Sequence, residues 1–439
     1  MKEVIQIGLA GLGTVGGGTY VVLKRNAKDL QAATGSRLVV KTVACRNLER
    51  ARGQLDADVA VTNDVLSLAH DPDIDVVVEV MGGIEPARTL VLEAIAAGKH
   101  VVTANKALLA LHGNEIFEAA QRAGVVVAFE AAVAGGIPII KALREGLAAN
   151  RIEWVVGIIN GTSNFILTTM REKGISFDEA LAQAQKLGYA EADPTFDIEG
   201  IDAAHKITLL SALAFHTPVN FKAATVEGIN HLAAEDIEYA EEFGYRIKLL
   251  GITKRTEKGI ELRVHPALVP KRRLMANVEG VMNAVVVKGD AVGTTLYHGR
   301  GAGAEPTASA VIADLVDIAR LLRGKRVEPA YLSQRMAAMG PQGETVWLPM
   351  DETVSSYYLR IGVADRPGVL ADIARIFAEN DISIETMVQR GSAPGEESTE
   401  IVILTHSAVE GRVKRAIAAI EALDHVHGRV VMLRKEEMN

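Results

Sequence analysis

Between Ala184 and Lys206 the chain reads AQKLGYAEADPTFDIEGIDAAHK. Five carboxylates fall in its later part (Glu191, Asp193, Asp197, Glu199 and Asp202), and a lysine closes it. Residues 180–187 have a helical composition, and Gly188 supplies a stop for that helix. Asp193-Pro194 forces an extended or turn segment, and Gly200 precedes a second helical run over 201–214. On that run Asp202 and Lys206 stand at i and i+4, about one turn apart on one face. A loop of acids leading into a helix that aims a carboxylate and an amine at one spot suits a small polar substrate with a cationic end. A solvated acidic loop followed by a surface ion pair would read the same way, so the rest of the chain has to separate the two.

A second candidate chemistry lies at the start. Residues 4–9 form a short apolar strand, followed by Gly11-Leu12-Gly13-Thr14-Val15-Gly16 and a helical run. This is the context a dinucleotide-binding turn requires. Gly11 permits the tight turn, Gly13 admits a pyrophosphate to the backbone, and Gly16 lets helix and strand pack closely. The amides of Thr14 and Val15 open the helix toward the phosphates. Valine-rich runs at 38–44, 76–80, 100–103 and 125–129, separated by helical runs such as 86–97 and 114–123, predict a parallel sheet covered on both faces. After the second strand the chain has Cys45-Arg46 where an acid would select NAD. A guanidinium there suits a 2′-phosphate, so NADP is expected, with NAD as the alternative. The fourth strand leads to Thr103-Ala104-Asn105-Lys106, which puts Lys106 at the carboxyl end of a parallel strand, where open α/β sheets bind ligands.

Residues 129–140, FEAAVAGGIPII, are rich in small side chains and read as a close backbone approach or a hinge. Asn160-Gly161-Thr162-Ser163-Asn164 lies between a strand and a helix and offers caps and donors. Strand-like runs at 152–159, 247–253, 260–264 and 278–288 place a mixed α/β region between residues 134 and 302, expected to bind substrate and to dimerise. GRGAGAEP at 299–306 is a second glycine turn before a helix, and 324–354 is polar, proline-bearing and linker-like. Residues 355–439 follow a βαββαβ order with a turn at Asp365-Arg366-Pro367-Gly368-Val369-Leu370.

Two motifs carry a family resemblance. A-x-x-x-G-Y-A-x-x-D-P-x-x-D-I-x-G-x-D-x-x-x-K, matched from Ala184 to Lys206 without a gap, and TANK at 103–106 resemble homoserine dehydrogenases of the monofunctional bacterial type. The resemblance implies a Rossmann-type domain over 1–133, completed by a returning helix at 303–323. It implies reduction of L-aspartate 4-semialdehyde to L-homoserine, on the route to threonine, methionine and isoleucine. Lys206 and Lys106 become the candidate proton donors, with Asp202 beside them. Glu191, Asp197, Asp202 and Lys106 are expected at the substrate, and Thr103, Gly188, Glu191, Lys106 and Gly303 near the cofactor. The resemblance also implies a monovalent cation, expected to be Na+, held by Glu130 and the main-chain carbonyls of Val133, Gly135 and Ile137. The C-terminal 355–439 segment resembles the ferredoxin-like ACT module. Asp365, Gly368, Val369 and Asn380 are its expected amino-acid site, threonine is the expected effector, and truncation near Gly343 is expected to leave an active enzyme.

Composition limits the alternatives. The chain has 439 residues, too many for one core, with 49% apolar and 23% charged residues, as in soluble globular proteins. A net charge of −8 with no basic block argues against nucleic acid or an anionic membrane as partner. No signal-peptide pattern or membrane-length apolar run is present, so a cytoplasmic protein is expected, as a homodimer or as a tetramer built through the C-terminal modules. Cys45 is the only cysteine, and it is expected beside the adenosine end of the nucleotide turn and not at the nicotinamide, a poor place for the nucleophile of an acyl-forming aldehyde dehydrogenase. A non-catalytic nucleotide or amino-acid sensor would need neither Lys106 nor Lys206.

Overall fold

A computed structural model describes residues 2–324, 345–390 and 398–438. The first sheet contains β1 (Val4–Ala10), β2 (Arg37–Ala44), β3 (Ala60–Thr62), β4 (Val76–Glu79), β5 (His100–Thr103) and β6 (Val127–Ala128). Its order is β3-β2-β1-β4-β5-β6 and every neighbouring pair is parallel. The strand order reverses between β1 and β4, which creates a crevice at the carboxyl ends of these strands. All four residues of β4 and of β5 are buried, as expected of strands covered on both faces. The helix Ala304–Leu322 packs back onto this sheet, its Ala308, Val311, Leu315 and Ile318 sharing a core with Ile5, Ile7, Val76 and Val102. Gly18 makes that return possible, because a Cβ there would lie 2.5 Å from the Ala304 carbonyl oxygen.

The second sheet adds β7 (Ile152–Ile158), β8 (Thr225–Val226), β9 (Tyr245–Arg255), β10 (Ile260–Pro270), β11 (Met282–Gly289) and β12 (Gly293–Arg300). It continues into β13 (Val354–Ala364), β14 (Ile384–Gln389), β15 (Ser398–Thr405), β16 (Ala408–Val409) and β17 (Val426–Lys435). The path runs β12-β11-β7-β9-β10-β17-β13-β15-β14, so the C-terminal strands extend the middle sheet. The junction is the parallel pair β10–β17, with Ala267 opposite Arg434 and Leu268 opposite Lys435. The linker expected over 324–354 falls largely outside the described residues. The βαββαβ order of the C-terminal segment is present.

Three elements depart from the sequence reading. The helix read over 114–123 begins at Lys106, because Gly113 is an interior packing residue facing Phe117 and Val219 rather than a helix start. β12 was not anticipated: it alternates half-buried and exposed residues and carries glycines near both ends, Gly293 and Gly299. β3 is only three residues long, too short to leave a periodic signal.

Candidate active site

The helix Ile201–Phe215 is apolar almost all round and nearly every residue is buried. A carboxylate on such a helix must be paired to stay ionised. Asp202 is paired by both lysines: Lys206 Nζ lies 2.6 Å from its Oδ2 and Lys106 Nζ 3.2 Å from its Oδ1. Asn160, the N-cap of the helix Gly161–Lys173, donates from Nδ2 to Asp202 Oδ2 at 2.9 Å and to Asp197 Oδ1 at 2.7 Å. Burial alone would raise the Asp202 carboxyl, but Lys206, Lys106 and the hydrogen bonds outweigh it and hold it down to about 2. Burial and the neighbouring Asp202 push the Asp197 carboxyl up.

Lys206 also donates to the Ile159 carbonyl at 2.7 Å, so two of its three N–H groups are committed and one is left for a ligand. Burial lowers its ammonium from the ordinary lysine range, with Lys106 adding to the effect and Asp202 opposing it. Lys106 is the first residue of the helix after β5, one-third exposed, with Nζ 5.9 Å from the Phe196 ring centroid. His205 packs against Phe196 and Phe221, and burial lowers its imidazole to about 4. It acts as a packing residue between the two rings.

These groups open on a cleft of about 600 Å³ that also reaches Thr14, Val15, Gly188, Gly135 and Gly303. The cleft therefore runs from the acid–lysine cluster to two helix starts. Gly11 has φ +102, and a Cβ on Gly16 would lie 2.0 Å from the Gly11 carbonyl oxygen, so both glycines are required by space. A Cβ on Gly13 would meet nothing within 4 Å, which leaves its backbone open to a phosphate. Gly303, with φ +121, starts the returning helix on the opposite wall. Arg46 follows β2 and is exposed.

Other expected residues are placed differently. The Thr103 hydroxyl is buried and donates to Glu79 Oε2 at 2.7 Å, so Thr103 shapes the strand end rather than offering its side chain to a ligand. Glu79 in turn accepts the Met81 amide at 2.9 Å and fixes the loop after β4, a role the sequence did not suggest. Glu191 is exposed and does not line the cleft, although Gly188 and Tyr189 beside it do. Asn160, which ties the two acids together, was read only as one cap in a donor-rich run. Its spacing from Asp197 and Asp202 carries no local signal.

The 130–137 loop is buried at Glu130, Val133, Gly135 and Ile137. Glu130 accepts the Ile140 and Lys141 amides at 2.8 and 2.9 Å, one on each carboxylate oxygen, and the Ile137 carbonyl accepts the Ile139 amide at 2.8 Å. Each of these oxygens keeps a second lone pair, so by donor chemistry alone they are of the kind a hard cation takes. Asp314 accepts the Glu130 amide at 2.8 Å, and burial beside the Glu130 charge pushes its carboxyl up to about 8. In the C-terminal segment, Asp365 and Gly368 lie in an exposed turn and Val369 begins the helix Val369–Glu379. Asn380 caps that same helix, its Nδ2 donating to the Ile376 carbonyl at 2.9 Å, which commits that donor to its own helix.

The chain resembles known proteins over nearly its whole length. Residues 138–316 match the family described as homoserine dehydrogenase, residues 11–130 its NAD-binding domain and residues 357–425 the ACT domain. The chain is 57% identical to the homoserine dehydrogenase of Neisseria gonorrhoeae over 436 residues, covering 99% of each. It is 53% identical to that of Pseudomonas aeruginosa over 437 residues, again covering 99% of each. The crystal structure of a homoserine dehydrogenase from Thiobacillus denitrificans superposes with a TM-score of 0.94 at 58% identity, over 100% of this chain and 99% of that one. A hyperthermophilic archaeal homoserine dehydrogenase in complex with NADPH gives a TM-score of 0.62 at 25% identity, over 73% of this chain and 98% of that one. The chain belongs to the homoserine dehydrogenase family, a family of nicotinamide-dependent oxidoreductases.

Proposed function

We propose that the cleft interconverts L-aspartate 4-semialdehyde and L-homoserine, with Lys206 moving the proton at the substrate oxygen. The observation that carries this is Asp202 shared between Lys206 and Lys106 at one end of a cleft whose other end is the glycine turn. The nicotinamide, when bound, supplies or accepts the hydride. The oxygen that gains charge needs a donor close by, and the uncommitted N–H of Lys206 supplies one. Asp202 holds both ammonium groups on the cleft side. Asp197 offers the anion that a substrate ammonium requires, and Lys106 offers a cation to its carboxylate. The test is NADPH oxidation with the semialdehyde.

NADP is favoured by the exposed guanidinium of Arg46 at the end of β2 and by the NADPH complex of the archaeal relative. Glu130, Val133, Gly135 and Ile137 would hold a monovalent cation, with Na+ the expected ion, steadying the loop between the nucleotide helix start and the acid cluster. The ACT segment would take an amino acid at the exposed turn 365–368. Threonine, a later product of homoserine, is the expected effector, and paired copies of the segment would give a homodimer or tetramer.

A further inference from the structure

A second cluster of buried charge lies where the C-terminal segment meets the middle sheet. Arg434 on β17 has a side chain only 1% exposed. It donates to Glu227 at 2.7 and 2.8 Å and to Glu410 at 2.7 and 2.6 Å. Glu227 follows β8 directly, and its own amide donates to the Val264 carbonyl at 2.8 Å. The residues after it form a seat. A Cβ on Gly228 would lie 2.4 Å from the Ile198 carbonyl oxygen and 2.7 Å from Glu199 Cα. Ile229 donates its amide to that same Ile198 carbonyl at 2.8 Å, and Asn230 Nδ2 reaches Glu199 Oε1 at 2.6 Å. The turn resting on this seat, 198–200, has Asp197 immediately before it and Asp202 two residues after it.

We propose that Arg434 and Glu227 are positioning residues for the active site: the C-terminal segment clamps the 227–230 seat, and the seat sets the spacing of Asp197 and Asp202. The inference rests on reading those two acids as the groups that hold substrate and lysines. No contact between Arg434 and the cleft is needed, because the backbone carries the constraint through Gly228 and Ile229. It follows that this segment cannot be detached without disturbing the site. The truncation near Gly343, which the sequence suggested would leave an active enzyme, should instead remove Arg434 and a neighbouring strand of the sheet together.

The test uses the full chain with Glu227→Gln, a position whose side chain is 34% exposed, and Arg434→Lys as a second variant that keeps the charge but loses the fork. Homoserine oxidation is followed with NADP, and hydrogen exchange is measured over peptides spanning 197–202. A shift of a fraction of an ångström at the acids should raise KM for homoserine about fivefold or more, with KM for NADP within about twofold. Exchange over 197–202 should speed by about tenfold as the seat loosens. A lowered Tm with an unchanged homoserine KM and unchanged exchange would make the clamp a stability element alone and overturn the proposal. A wild-type chain inert toward homoserine would remove the functional reading, while the exchange measurement would still decide whether the clamp holds the turn.

Discussion

The acid–lysine cluster and the Arg434 clamp are both largely buried and ionic, and each draws in residues from distant parts of the chain, yet they differ in what they leave unspent. At the clamp, the fully buried Glu410 receives two guanidinium hydrogen bonds and the Tyr357 hydroxyl at 3.4 Å, and Arg434 is closed off from solvent. At the cleft, Lys206 keeps one donor free, Lys106 is one-third exposed, and the surrounding walls are small residues such as Ala132, Gly135 and Gly161. A buried ion pair by itself therefore says little about chemistry. An uncommitted donor facing a cavity says more.

Breaking each cluster should separate the two roles. Lys206→Ala should lower kcat by roughly 10²–10⁴ with KM for the nucleotide nearly unchanged, since the group acts on the transition state. Its cost in stability should be modest, because Lys106 and Asn160 still hold Asp202; denaturant titration gives that figure. Arg434→Met should do the reverse in stability. It removes the guanidinium from both Glu227 and the fully buried Glu410, leaving Glu410 with Lys414 at 3.2 Å and the Tyr357 hydroxyl, and should cost about 3 kcal/mol in the same titration. Equal losses of stability for the two variants would erase the distinction.

Arg46→Ala should raise KM for NADPH about tenfold while KM for NADH stays within about twofold, as expected for one charge-assisted contact to a phosphate. Equal changes for both cofactors would remove Arg46 from the binding site.

The pH dependence sharpens the comparison further. Asp202 has its pKa lowered to about 2 in the folded chain, so its contribution to stability is present above the ordinary aspartate value and is lost as pH falls from there toward 2. The Lys206 pKa is also lowered, which favours its neutral form on folding. Carbonyl reduction, which needs the ammonium, should therefore fall on an alkaline limb below the ordinary lysine range, and Lys206→Ala should abolish that limb. His205 titrates near 4, so His205→Gln should leave the limb in place. A further effect concerns threonine. It should bind the full chain and lower the rate through a coupling of about 1–3 kcal/mol. No heat and no rate change with threonine, isoleucine or methionine would leave the C-terminal segment as an assembly and clamping element.

Much of this was legible in the chain. The valine-rich strands, the glycine turn and the i, i+4 pair of Asp202 and Lys206 are local patterns, and local patterns fix local geometry. The parallel sheet and the position of Lys106 at a strand end followed from them. What was not legible joins residues with no sequence relation. Asn160 meets Asp202 across 42 positions and Arg434 meets Glu227 across 207. Both contacts depend on the order of strands in the second sheet, which periodicity does not encode. The partners of the Thr103 hydroxyl and the Asn380 amide were not legible either. Their types suit a ligand, but each has a nearer partner, Glu79 in the neighbouring strand and the Ile376 carbonyl in its own helix.

The most direct test is the initial rate of NADPH oxidation with L-aspartate 4-semialdehyde, measured on the wild-type chain and on Lys206→Ala in parallel. The wild type should turn over at a rate typical of enzymes, roughly 1–10³ s⁻¹, and the variant should retain no more than about one part in a hundred of it while still binding NADPH. A wild type without activity, or a variant within about threefold of it, would contradict the assignment of Lys206 as the proton donor of this cleft.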